Sequence, residues 1–260
     1  MNSLADQALR SLRVLVVDDH DINREFLKAG LSGLVSEVAA AEDGKAAVEL
    51  CRDQDFDVVL MDLHMPRMDG LAACQRIRQS ESGSGKACIL ILTADARPEE
   101  HDRLLELGAD GHLNKPISIP RLLQAILKQI APGAAGQHLA DAKEAEARLI
   151  DPGQASETAN GDEELAARMS QLFAEELGAK LPELDQMIKH GQFDSARDLL
   201  HQWRGACGFA GAGSLHQACE VLRKSLQDSD GQSAGAAYAE FVRTAHATRQ
   251  ALLFRAASPS

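Results

Sequence analysis

Between residues 13 and 131, short apolar runs alternate with amphipathic stretches. Three runs are strong, at residues 14–17, 58–61 and 88–92, and two are weaker, at 36–40 and 111–113. The strong runs are rich in Val, Ile and Leu, the composition of strands buried on both faces of a parallel sheet. Helix signals fill the gaps. Pro98 with Glu99 and Glu100 suits a first turn, and Gly108 suits a C-terminal stop. The alternation predicts an α/β fold, a doubly wound five-stranded parallel sheet.

The pattern changes after residue 131. Pro132-Gly133-Ala134-Ala135-Gly136 opens a stretch without steady apolar period, punctuated by Asp151-Pro152-Gly153. Residues 132–160 read as a flexible linker, with a transient helix at 140–149. Beyond it, Leu165, Met169, Leu172, Phe173, Leu177, Leu181, Leu184, Met187 and Ile188 recur at helical spacing. Pro182 is placed near a helix start, and Gly191 and the stretch 228–235 mark breaks. Four or five helices in an all-α bundle are expected over residues 161–258. The boundaries are then 1–131, 132–160 and 161–258. No internal repeat is visible.

A length of 260 residues suits two domains. The net charge of −12 and 3% aromatic content argue against nucleic-acid binding. No apolar run approaches the ~20 residues of a membrane span, so no membrane insertion is expected, and residues 1–13 lack the apolar core of a signal peptide. Cys51, Cys74, Cys88, Cys207 and Cys219 form no CxxC pair. They read as free thiols of a cytoplasmic protein.

The strong runs end in Asp18-Asp19, Asp62 and Thr93, and the last weak run is followed by Asn114-Lys115-Pro116. In a doubly wound sheet the carboxyl ends of the strands line the ligand crevice. Three carboxylates, a hydroxyl and an ammonium should therefore converge. Crowded carboxylates call for a divalent cation, and Mg2+ (or Mn2+ in its place) favours oxygen ligands and a substrate phosphate. Lys115 and Thr93 suit phosphate oxygens. The chemistry implied is phosphoryl transfer, and without a P-loop or kinase-type Gly-rich loop ATP is not the expected donor.

Val16-Val17-Asp18-Asp19, Met61-Asp62-Leu63-His64-Met65-Pro66-Arg67-Met68-Asp69-Gly70, Leu92-Thr93-Ala94 and Asn114-Lys115-Pro116 together resemble a two-component receiver domain of flavodoxin-like fold. The resemblance implies that Asp62 is the phosphoacceptor and that Asp18, Asp19 and Asp62, with the backbone carbonyl of His64, hold the metal. It implies that Thr93 and Lys115 contact the phosphoryl group. The family usually has Tyr or Phe three residues before the lysine. Here it is His112, which departs from the usual aromatic switch.

Of nine histidines, His20 and His64 neighbour the acidic pocket, and His101, His138, His190, His216 and His246 read as surface or satisfied residues. His201 differs. On a helix it shares a face with Arg204, Gly205 and Gly208, one cation and two bare positions. Interior glycines cost a helix roughly 0.5–1 kcal/mol each, which suggests close approach of another body there. A neutral imidazole is a competent nucleophile, and Arg204 would steady the added charge. Leu199, Leu200, Trp203 and Cys207 can turn inward. The run His201-Gln202-Trp203-Arg204-Gly205, followed by Gly208, Gly211, Ala212, Leu215, Cys219 and Leu222, is similar to a histidine-phosphotransfer (HPt) domain. Trp203 and Arg204 replace the family's usual Leu and Lys.

The reading that follows is a phosphorelay protein without an ATP-binding kinase domain. It carries phosphate on Asp62 and His201, between a sensor histidine kinase and another receiver or HPt protein. A linker of 29 residues spans roughly 5–6 Å × √29, about 30 Å, which permits exchange between the two sites. One alternative is a phosphorylation-switched binding module whose bundle docks a partner. A metal-dependent hydrolase is disfavoured because position 64 is His, not the second Asp of an Asp-x-Asp pair.

Overall fold

The computed structural model describes residues 4–80, 83–93, 103–115, 117–130, 150–227 and 231–257. Two compact units result, Met1–Ala140 and Asp141–Ser260. Pro98, Glu99, Glu100, His101, Ala94, Pro116, His138 and the proposed linker up to residue 149 lie outside the described residues.

In the first unit five strands form one parallel sheet: β1 Arg13–Val17, β2 Glu37–Ala41, β3 Val58–Asp62, β4 Cys88–Thr93 and β5 Gly111–Asn114. Their order is β2-β1-β3-β4-β5. The central β3 is buried at every position, which is why its run is unbroken. β2 and β5 are the edges, half-buried along most of their length, and their apolar signal is correspondingly weak. The register Asp62↔Leu92 and Thr93↔Asn114 brings the carboxyl ends of β3, β4 and β5 level.

Helices α1 Leu4–Arg10, α2 Asp21–Leu31, α3 Gly44–Asp53, α4 Gly70–Arg78 and α5 Ile119–Ile130 belong to the same unit. The Asp43 side chain caps α3 by accepting from the Ala46 amide at 2.7 Å, and Asp69 caps α4 from Ala72 at 2.7 Å. A helical stretch at 103–106 ends before Gly108, whose φ of +99° suits glycine. The expected stop at Gly108 stands there. α1 was not legible. It is short, and among its described side chains Leu9, with Leu12 just beyond it, reaches the core.

The second unit is all helical: α6 Pro152–Thr158, α7 Glu163–Lys189, α8 Phe193–Ala210, α9 Gly213–Ser225 and α10 Gly231–Ala257. Trp203, Phe173 and Phe241 are its largest fully buried side chains. Trp203 stacks on Phe241 with ring centroids 5.9 Å apart, and Phe173 meets Phe209 edge-on at 6.4 Å. Trp203→Ala should therefore lower the stability of this unit by about 3–5 kcal/mol, read as a lower urea midpoint of its helical circular dichroism.

Three boundary expectations are corrected. The linker does not extend to residue 160: Asp151 caps α6 by accepting from the Gly153 and Gln154 amides, and Pro152 occupies its first turn. The Asp151 amide donates to the Gly211 carbonyl at 2.8 Å, and Ala155 and Ala159 are buried, so this segment is part of the bundle. Pro182 lies inside α7 rather than near a helix start. It faces outward, while Leu177, Leu181 and Leu184 bury the opposite side, and that packing outweighs the proline penalty of ~3 kcal/mol. The break at 228–235 is shorter, since α10 already begins at Gly231. The break at Gly191 stands, with φ +70° just past the end of α7.

Candidate functional site

Asp18 and Asp19 leave β1, Asp62 ends β3, Thr93 ends β4 and Lys115 follows β5. Asp18, Asp62 and Thr93 are each at most 1% exposed. Asp18, Asp19 and Asp62 each offer a carboxylate oxygen within 4.8 Å of the others. Lys115 Nζ donates to Asp18 Oδ2 and to Asp62 Oδ2, both at 2.7 Å, and the Lys115 amide donates to the Thr93 carbonyl at 2.7 Å. The sheet brings the three carboxylates and the ammonium together, and Thr93 joins them through its backbone carbonyl.

The first acid is rigidly seated. The His20 amide donates to Asp18 Oδ1 at 2.9 Å, and Asn23 Nδ2 donates to both Asp18 oxygens at 3.1 and 3.2 Å. Sequence reading missed Asn23. Its signal is its place in the first turn of α2, five residues beyond Asp18. Arg24 Nη1 donates to the Asp18 carbonyl at 2.6 Å. The loop after Asp62 is also pinned: the His64 amide lies 3.4 Å from Asp62 Oδ1, and Arg67 pairs with Asp43 at 2.5 Å and Glu42 at 3.2 Å. His64 is exposed. A Cβ on Gly70 would lie 2.2 Å from the Asp62 carbonyl oxygen. Gly70→Ala should therefore cost about 1–3 kcal/mol and shift the backbone of Asp62, visible as a lower melting temperature and weaker divalent-metal binding by calorimetry.

Burial raises both acids, and the two separate by what offsets it. For Asp18, the Lys115 charge and hydrogen bond, with the His20 amide, outweigh burial and hold the carboxyl below its ordinary value. For Asp62, burial dominates, Lys115 only partly compensates, and the charges of Asp18 and Asp19 add repulsion. Its carboxyl is pushed up to about 7. Lys115 is held well above its ordinary value by the two acids despite burial. Three carboxylates against one ammonium leave net negative charge in a buried pocket, and hard oxygen donors fit a divalent cation there. His112 sits on β5 opposite Ile91, half-buried.

In the second unit His201 lies half-buried on α8. Leu199, Leu200, Trp203 and Cys207 are buried, as the helical spacing requires. Gly205 is half-buried on the face that carries His201, and Gly208 is buried. Arg204, expected to steady added charge on His201, is engaged with the neighbouring helix. Its side chain is only 12% exposed, and Nη1 pairs with Glu220 Oε2 of α9 at 2.9 Å. A long guanidinium next to a carboxylate on the neighbouring helix folds onto it rather than extending to water, and nothing in the sequence around His201 announces Glu220. His216 is also more engaged than a surface histidine. Burial and then the Arg204 charge depress its imidazole, against the pull of Glu220. All five cysteines are free, and Cys88 alone among them is not fully buried.

Comparisons with known proteins agree with this architecture. The response regulator receiver domain family matches residues 14–127, and the Hpt domain family matches residues 168–252. The chain belongs to the response regulator receiver family through the first segment and to the Hpt family through the second. Two-component phosphorelay is the setting in which these two domain families act. Neither matched domain is a kinase. The chain is 33% identical over 229 residues to the sensor protein GacS of Pseudomonas syringae pv. syringae, covering 85% of this chain and 25% of that protein. It is 27% identical over 230 residues to the signal transduction histidine-protein kinase BarA of Escherichia coli (strain K12), covering 86% of this chain and 25% of that protein. It thus spans about a quarter of the length of these relatives. Among solved structures it is similar to the chemotaxis protein CheY4 of Vibrio cholerae. There the identity is 31%, covering 45% of this chain and 98% of that one, with a TM-score of 0.43. Among the described residues, no helix is long and apolar enough to cross a membrane.

Proposed function

We propose that this chain is a two-station phosphoryl carrier: Asp62 takes the group in the receiver, and His201 carries it in the Hpt domain. The observation that carries the reading is the buried cluster of Asp18, Asp19 and Asp62 with Lys115 Nζ 2.7 Å from two of them. Such a net-negative pocket would take up a divalent cation, and that cation together with Lys115 would offer the positive charge a phosphoryl group needs.

Asp18, Asp19, Asp62 and the backbone carbonyl of His64 would hold Mg2+ or Mn2+. The metal supplies charge neutralisation for the phosphoryl oxygens when bound. Within the chain, an Asp62 carboxylate oxygen attacks phosphorus of a donor phosphohistidine. The P–O bond forms as the P–N bond breaks, and the electron pair returns to the donor imidazole. Lys115, already within reach of Asp62, holds a phosphoryl oxygen, and the Thr93 hydroxyl donates to another. At His201 a neutral imidazole nitrogen attacks phosphorus of an aspartyl phosphate; the P–N bond forms as the P–O bond breaks, and the electron pair leaves on the donor carboxylate. The chain catalyses these transfers on itself and hydrolyses no ATP.

The partners that fit are a sensor histidine kinase upstream and another receiver or Hpt protein downstream. Five free thiols suit the reducing cytosol. The test is chemical. With Mg2+ and acetyl phosphate the purified chain should gain an acid-stable, hydroxylamine-sensitive phosphate. With a phosphorylated receiver it should gain an acid-labile one. Steady turnover of a small phosphoester, with no phosphoprotein formed, would replace this reading with a hydrolase.

A further inference from the structure

Glu220 gathers three cations. Its carboxylate lies 2.9 Å from Arg204 Nη1, 3.1 Å from Arg223 Nη2 and 3.3 Å from Lys224 Nζ. Arg223 and Lys224 stand one turn further along α9, on Glu220's own helix, and reach it at the (i,i+3) and (i,i+4) positions. Arg204 reaches across from α8. It is the most buried of the three, and its Nε is enclosed with no hydrogen-bond partner. An ionised donor left unpaired inside a protein is unfavourable, so this resting position does not satisfy the guanidinium. Its charge is turned toward α9, where it also depresses His216. Yet Arg204 follows His201 by three residues on the same helix and shares its face.

We propose that Glu220 is a positioning residue that holds Arg204 away from His201 in the resting chain, and that a phosphoryl group on His201 draws Arg204 from it. The proposal rests on His201 being the phosphate carrier. The exchange is only of ion-pair partners. Glu220 keeps Arg223 and Lys224 when Arg204 leaves, so its carboxylate is not stranded. Arg204 trades one contact and an idle Nε for a group with three acceptor oxygens, which a planar guanidinium meets with two donors at once. Glu220 therefore sets how strongly the chain retains phosphate on His201.

The phosphoryl group reports this directly, because pairing with a cation favours its dianion. In the full chain carrying Asp62→Asn, so that label is confined to His201, phosphoramidate is the donor and 31P NMR follows the phosphohistidine signal against pH. Glu220→Gln should weaken proton binding by the phosphoryl group about tenfold, and Glu220→Asp should stay near the parent. With Arg204→Ala also present, Glu220→Gln should change little. Local unfolding would expose the group to water and strengthen proton binding, so damage cannot imitate the expected result. Unchanged or stronger proton binding in Glu220→Gln, or the same weakening without Arg204, overturns the proposal. Absence of any phosphohistidine signal, with Glu220 intact as well as replaced, defeats the assignment of His201 itself.

Discussion

Asp62→Asn should abolish acid-stable labelling by acetyl phosphate and Mg2+, while making the receiver unit more stable at pH 8 in the absence of metal. The first half follows from chemistry, since an amide oxygen cannot replace the carboxylate nucleophile. The second follows from the pocket. Burial holds the Asp62 carboxyl near 7 in the folded state, against 3.8 for an unperturbed group. Between those values the folded chain keeps a proton that the unfolded chain has released. Stability therefore falls as pH rises from about 4 to about 7, and the full penalty is present above 7. Asn carries no such penalty, although Lys115 then keeps only Asp18 as a partner. The net gain should be about 2 kcal/mol at pH 8 and should vanish by pH 4, read as converging melting temperatures of the two proteins. Mg2+ should raise the melting temperature of the parent chain more than that of the variant. A variant that still takes up hydroxylamine-sensitive phosphate would refute the role of Asp62.

His201→Gln should remove the acid-labile phosphate entirely and reduce relay to a downstream receiver by more than ~100-fold, because among the described residues of that helix His201 is the one imidazole that can form the phosphoramidate bond. Labelling of Asp62 should be untouched. The bundle should keep its helical content, since His201 is half-buried and the core around Trp203 and Phe241 does not depend on it. Pulse labelling with a phosphorylated receiver, followed by acid treatment, separates the two outcomes. Intact downstream signalling in this variant, with loss only in Asp62→Asn, would favour the switched binding module instead.

What could be read from the chain, and what could not, divides along physical lines. β1, β3 and β4 are buried on both faces, so their residues had to be apolar and their ends abrupt. The change from Met61 to Asp62, or from Leu92 to Thr93, marks the edge of the crevice in plain sequence. Asp18, Asp19, Asp62, Thr93 and Lys115 were legible because sheet topology alone brings strand ends together. Tertiary choices were not legible. Asp151-Pro152-Gly153 reads equally as a turn or as a capped helix start, and only docking against Gly211 decides it. A Cβ on Gly211 would meet the Asp151 carbonyl at 2.3 Å, so that contact also explains why glycine stands there. Pro182 reads as a boundary until the leucines on the opposite face are seen to hold α7 together. Glu220 was invisible because no local spacing connects it to Arg204. The contact exists only once α8 and α9 are packed.

The most direct test is to locate the phosphate. After phosphorylation with both donors, borohydride reduction converts an aspartyl phosphate to homoserine, and neutral-pH mass spectrometry retains phosphohistidine. Peptide mapping should find homoserine at position 62 and phosphate at His201, and at no other aspartate or histidine. Homoserine at position 18 or 19, or phosphate on His216 or His112 instead of His201, would contradict it.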